Sequence, residues 1–200
     1  MNRTRHLAPV LIWLMASCFA IGLWQVWEGS WMYAKAGLAQ LLLQRAWTRS
    51  LAGEGMPKPW PWADTWPVGR LQVPRLSADM IVLAGAHGRT LAFGPGHVGS
   101  SALPGQEGTA VLVGHRDTHF QFLKELQPND SLELMGTDGS TRRFRVTEQR
   151  VMDSRQDAIA IRDGGEELIL VTCFPFGSIT TGGPLRYVVR AEAEHQAERS

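Results

Sequence analysis

The sequence predicts an all-β domain, a barrel or sandwich of about seven or eight short strands with brief helical segments, carried behind an N-terminal transmembrane helix. Three observations predict it. From Val68 onward, short apolar or alternating runs stop at Pro, Gly, Asn or Asp. Leu7 to Trp27 contains no charged residue. All eight tryptophans occur at or before Trp66, so the chain divides into two halves of different composition. A length of 200 residues accommodates one ordinary domain plus an appendage.

Residues 1–30 read as the anchor. About 20 apolar residues suffice to cross the hydrocarbon core as a helix. Arg3 and Arg5 precede the run, and Trp24 and Trp27 at its far end suit a membrane interface. Positive residues stay cytoplasmic, which places the remainder of the chain outside the cytoplasm, on a single-pass protein of the cell membrane. Two alternatives compete with a retained helix. A cleaved signal peptide has a shorter apolar core closed by a small-x-small site, whereas this run continues past Ala16-Ser17. Met15-Ala16-Ser17-Cys18 also resembles a lipoprotein processing site, and cleavage there leaves a lipidated Cys18 that is still membrane-attached.

Residues 31–67 form a stem and linker. Trp31, Ala34, Leu38, Leu41, Leu42 and Trp47 have helical spacing, interspersed with Lys35, Gln44, Arg45 and Arg49. The segment continues the membrane helix, lies along the interface, or packs on the domain as an amphipathic stem; its pattern is compatible with all three. Gly53 to Pro67 holds Pro57, Pro59, Pro61 and Pro67, a density that favours an extended, semi-rigid linker over helix or central strand.

Residues 68–192 carry the strands. Leu71-Gln72-Val73 stops at Pro74, and Met80 to Leu83 stops at Ala84-Gly85. Thr109 to Val113 leads into Gly114-His115, and Phe120 to Leu126 has short helical spacing. Ser131 to Met135 and Arg143 to Thr147 flank Gly136-Thr137-Asp138-Gly139, a hairpin signal. Leu168 to Cys173 reads as a buried strand broken by Phe174-Pro175-Phe176-Gly177, and Pro184 to Arg190 forms the last strand. Residues 193–200 are a charged tail expected to fray.

The formal net charge of +1, with no basic stripe interleaved with aromatics, argues against nucleic acid as a partner. Cys18 and Cys173 sit in unlike environments, so no disulfide is expected. Cys173 ends a strand, and a thiol there can be positioned and activated as a nucleophile. His115 follows another strand and Arg186 opens a third; the three converge only if those strands are neighbours.

Together these segments resemble the sortase family of cysteine transpeptidases. That family's signature is a strand ending in Thr-Leu-x-Thr-Cys, a histidine about 60 residues upstream, and an arginine on the following strand. Here the strand reads Ile169-Leu170-Val171-Thr172-Cys173, with Ile169 in place of the first threonine, a change that suits a strand interior. The resemblance covers roughly residues 68–192 and includes Pro95-Gly96-His97 and Leu103-Pro104-Gly105. The stem and Thr172-Cys173-Phe174-Pro175-Phe176 look like the Gram-negative class, which implies a periplasmic domain.

The resemblance implies a closed β-barrel in which Cys173 is the nucleophile, His115 the acid and base, and Arg186 the stabiliser of the transition state. Arg190, on the same face, is expected to be a solvated strand-edge charge. It implies cleavage of a surface protein's C-terminal signal similar to Leu-Pro-x-Thr-Gly, through a thioacyl-enzyme, with transfer to an amine acceptor of the cell envelope. Thr172 and the backbone at Cys173 are expected to help build the oxyanion site. Asp117 and His119 read as loop residues at the rim, with Asp117 placed to orient His115. His97 reads either as a solvated or hydrogen-bonded loop histidine or as a lining residue of the substrate groove. No cofactor is implied. His115, Asp117 and His119 share a face if extended, but the local sequence offers no second cysteine and no metal site is expected. Two rivals remain: the same acyl-enzyme resolved by water, and an inert peptide-binding β-domain.

Overall fold

The computed structural model describes residues 4–161, 165–178 and 182–194, with side chains from residue 12 onward. The chain separates into two compact units, Met1–Leu41 and Leu42–Ser200. One helix, α1 (Thr4–Leu51), accounts for nearly all of the first unit. Among the described residues no helix is long and apolar enough to cross a membrane. Residues 7–11, the start of the expected span, have side chains outside the described set, and residues 195–200 of the tail lie outside the described residues altogether.

Within the second unit, the end of α1 buries Leu43, Ala46, Trp47 and Ser50. These positions recur every three to four residues and so share one helix face. The proline-rich segment that follows lies on the domain rather than standing off it. Pro57, Pro59, Ala63 and Thr65 are buried, Thr65 Oγ1 donates to the Ala84 carbonyl at 2.7 Å, and Trp60 meets Phe93 edge-on at 4.9 Å. Proline backbones have no amide hydrogen to satisfy, so such a segment covers a barrel at little polar cost.

Among the described residues, eight strands form a closed barrel: β1 (Pro67–Val73), β2 (Ala78–Ala84), β3 (Gly96–His97), β4 (Ala110–Val113), β5 (Ser131–Gly136), β6 (Thr141–Asp153), β7 (Glu167–Cys173) and β8 (Leu185–Ala193). Their order around the barrel is β1-β2-β3-β4-β7-β8-β6-β5. A short helix spans Gly88–Leu91, and 3-10 turns span Pro74–Leu76 and Gln121–Glu125. Closure selects the barrel over the sandwich and leaves no unpaired edge. The β5–β6 hairpin turns where expected: Gly139 has φ +81°, and Asp138 Oδ1 accepts from the Ser140 amide at 2.9 Å.

Burial explains the two strand patterns. β5 alternates, with Leu132 and Leu134 in the barrel core. β7 is buried from Glu167 through Thr172 because both its faces are covered. Leu168 and Leu170 face the barrel core, beside Leu112, Phe120 and Val189. Ile169 and Val171 face outward, into a second apolar cluster with Val111, Met152 and Val188, packed beneath Val98 and Ile159. β4 and β7 are parallel while β8 is antiparallel to β7, so the ends of β4 and β7 and the start of β8 meet at one rim.

Candidate functional site

Register builds the site. β4 and β7 pair from Ala110↔Leu168 to Val113↔Val171. His115 and Cys173 each lie two residues beyond that last pair, and both line one cavity. Two bonds extend the pairing past the ladder: the Gly114 amide donates to the Val171 carbonyl at 3.1 Å, and Thr172 Oγ1 donates to the Gly114 carbonyl at 2.7 Å. The chain then turns sharply, and the His115 carbonyl accepts the Phe120 amide at 3.0 Å. Glycine is required at 114, since a Cβ there would lie 2.6 Å from the fully buried Phe120 ring.

Cys173 is half-buried at the last position of β7, directly opposite Arg186 of β8. Opposed residues of an antiparallel pair present side chains on one face. Arg186 Nη1 donates to the carbonyls of Gly183 at 2.7 Å and Leu185 at 2.9 Å. Phe174, Phe176 and Tyr187 pack against one another, with centroids 5.3–6.2 Å apart, and brace the loop after the cysteine. A cavity of about 490 Å³ opens here, lined by His115, Arg116, Asp117, Cys173, Phe174 and Ser178 among others. The fold thus brings Cys173, His115 and Asp117 to one pocket, with Arg186 across the ladder from the thiol. A thiol beside an imidazole is suited to forming a nucleophile, and a guanidinium to stabilising an oxyanion.

Four expectations need correction. Thr172, expected beside the oxyanion, points to the barrel interior at 1% exposure, its hydroxyl committed to Gly114; it positions the His115 turn instead. Asp117, expected to orient His115, gives both carboxylate oxygens to Arg116, at 2.9 and 3.1 Å. That pairing holds its carboxyl below the usual carboxylate range, with a smaller effect from His115. His97 is 2% exposed, its Nε2 beside the Ala102 carbonyl and the Ser101 hydroxyl. It lies in β3 against a different cavity, lined also by Trp66 and Thr137, toward the opposite end of the barrel. Arg190 is buried rather than solvated, paired with Glu167 at 2.7 Å.

Residues 116–120 form turns, so His115, Asp117 and His119 do not align along an extended strand. Burial pushes the His119 imidazole below its ordinary value, against an opposing hydrogen bond to the Ala92 backbone. Arg116 is the residue that sequence reasoning overlooked. Its guanidinium is buried and reaches the Pro175 and Ser178 carbonyls of the loop after Cys173. The only local signal was an arginine directly after Gly114-His115, and nothing in one sequence marks it as buried.

A barrel carrying a lone thiol, an imidazole and a guanidinium at one rim defines a class of cysteine-site β-barrel proteins. The family model described as "Sortase domain" matches residues 71–194, and the chain belongs to the sortase family. It is 34% identical over 122 residues to Sortase D of Bacillus subtilis (strain 168), a match covering 60% of this chain and 61% of that relative. Among solved structures it is similar to sortase C-1 from Actinomyces oris, at 25% identity and TM-score 0.56, covering 64% of this chain and 73% of the other. A Clostridium perfringens Sortase D5 transpeptidase matches at 17% identity and TM-score 0.62, covering 80% and 99%; at that identity the likeness concerns the fold.

Proposed function

We propose that this chain is a membrane-anchored cysteine transpeptidase that cleaves a surface protein's C-terminal signal similar to Leu-Pro-x-Thr-Gly. What supports this reading is the shared cavity that His115 and Cys173 line beyond the ends of β4 and β7, with Arg186 opposite Cys173 in the β7–β8 pairing. The Cys173 thiolate attacks the carbonyl of the threonine, forming an S–C bond. Arg186, already oriented by the Gly183 and Leu185 carbonyls, supplies donors to the oxyanion. The C–N bond to glycine breaks, and His115 in its protonated form gives its proton to the leaving amine. An amine of the cell envelope then attacks the thioester, gives up a proton to His115, and releases Cys173 with a new amide formed.

The uncharged run from Leu7 to Trp27 behind Arg3 and Arg5 supports single-pass anchoring with the barrel outside the cytoplasm, in the periplasm if the cell is Gram-negative. The test uses the full chain in detergent with a Leu-Pro-x-Thr-Gly peptide and a glycine or diamine acceptor, and follows intact mass beside Cys173→Ala. The expected result is an adduct of the Leu-Pro-x-Thr acyl fragment, then amine-capped product, both absent from the variant. An adduct yielding only free acid would favour a hydrolase. No adduct with any member of a peptide library would leave an inert binding domain.

A further inference from the structure

Arg116 is a charged side chain withdrawn from water, 6% exposed. Burying a guanidinium costs free energy unless its donors are satisfied. Here Nη1 donates to the Pro175 carbonyl at 2.6 Å and Nη2 to the Ser178 carbonyl at 2.7 Å. Nε and Nη2 meet the Asp117 carboxylate at 2.9 and 3.1 Å. Pro175 and Ser178 belong to the loop between β7 and β8, which starts from Cys173, while Arg116 itself sits in the turn that begins with His115. One guanidinium therefore joins the histidine side of the pocket to the cysteine side, and Arg116 and Cys173 both line the cavity.

The charge balance is lopsided. Asp117 neutralises Arg116 from a position 61% exposed, where water weakens its reach, whereas the guanidinium is buried. A negative Cys173 raises the Arg116 pKa further, after the larger effect of Asp117. Arg116 and Cys173 line one cavity, so the buried guanidinium is placed to act on whatever charge develops at the sulfur. The groups facing Cys173 are His115, Arg116 and Asp117 from the turn after β4, and Arg186 from β8, whose charge also acts on Asp153 of β6. Of the two cations, Arg186 is the less buried.

We infer that Arg116 is a positioning residue for the cysteine chemistry: it clasps the β7–β8 loop to the His115 turn and stabilises the Cys173 thiolate. This rests on the proposed nucleophilic role of Cys173, and its test needs no peptide substrate. The full chain bearing Cys18→Ser, in detergent, is alkylated with iodoacetamide across a pH series. Arg116→Gln keeps a hydrogen-bonding side chain but removes the charge; it is expected to move the midpoint of the rate–pH curve upward by about one unit, the low end of the effect of a nearby opposite charge. Arg116→Lys restores the charge without the fork and is expected to recover most of that shift. An unmoved midpoint in Arg116→Gln, or equal shifts in the two variants, overturns the inference. Should Arg116→Gln fail to fold, Asp117→Asn at its exposed position unmasks the Arg116 charge and must lower the midpoint; no change there overturns it equally. A shifted curve in a protein that forms no acyl-enzyme would support this inference while removing the transpeptidase reading.

Discussion

Replacing Arg190 by Met exposes how much the second unit depends on one buried ion pair. Arg190 and Glu167 have side chains 4% and 3% exposed and meet at 2.7 Å. Arg190 Nη2 also donates to the Ala160 carbonyl at 2.6 Å, tying the segment before β7 to the outer face of the sheet. Met fills most of the volume, but it takes the 2.7 Å guanidinium partner away from a carboxylate that stays buried. Breaking such a pair from one side costs about 3–5 kcal/mol, and the lost bond to Ala160 adds about 1 kcal/mol. A net loss of about 5 kcal/mol lowers Tm by roughly 10–20 °C in a domain of this size. The double variant Arg190→Met/Glu167→Leu removes both charges and is expected to return to within about 2 kcal/mol of the parent, since apolar replacement of a buried pair is close to neutral. Thermal unfolding of the full chain by near-UV circular dichroism at pH 7 measures all three proteins. A single variant within about 1 kcal/mol of the parent, or a double variant no better than the single, would refute the reasoning, because groups other than Arg190 would then be compensating the Glu167 carboxylate.

Gly114→Ala drives a Cβ to within 2.6 Å of the Phe120 ring; it is expected to cost about 1–3 kcal/mol and to slow acyl-enzyme formation, read as Tm and single-turnover rate. Thr172→Val keeps the shape but leaves the Gly114 carbonyl without its 2.7 Å donor, a loss of about 1–3 kcal/mol, while Thr172→Ser retains the bond and most of the stability. Asp130 is held below the usual carboxylate range, first by Arg75, whose Nε and Nη2 each donate at 2.6 Å, and also by the Gln127 amide. Its depressed folded value means that its contribution is complete above the unfolded carboxylate range, near pH 4, and is lost as pH falls through the lower folded value. A Tm series from pH 5 downward is therefore expected to fall less steeply for Asp130→Asn than for the parent.

Most of the barrel was legible because its signals are local. Leu71 to Val73, Met80 to Leu83 and Leu168 to Thr172 are apolar runs stopped by turn residues, and each lies within an observed strand. β3 was not legible: two residues, Gly96 and His97, are held as a strand only by β2 and β4 on either side. The later part of β6 pairs with β8 from Glu148 to Asp153, yet Glu148, Gln149 and Arg150 show no apolar pattern. Where the linker lies was not legible for a related reason. Proline density reports an extended backbone, and extension says nothing about whether that backbone lies on a barrel.

The site divides along the same line, between what strand parity dictates and what covers each face. Cys173 shares the outer face with Ile169 and Val171, so Thr172 must point inward with Leu168 and Leu170. Its removal from the oxyanion was thus implicit in the alternation of one strand. Parity also put Arg186 and Arg190 on a common face, but not their different surroundings. Arg186 opens β8 at the rim, opposite the thiol, whereas Arg190 lies opposite Ile169 and is covered by the segment bearing Ile159 and Ala160. Covering comes from a connection between strands, which a sequence read strand by strand does not place. The juxtaposition of His115 with Cys173 depends likewise on a parallel pairing between strands far apart in the chain. Only a crossover can bring such strands side by side, and Gly114 lets the turn close over Phe120 once it has done so.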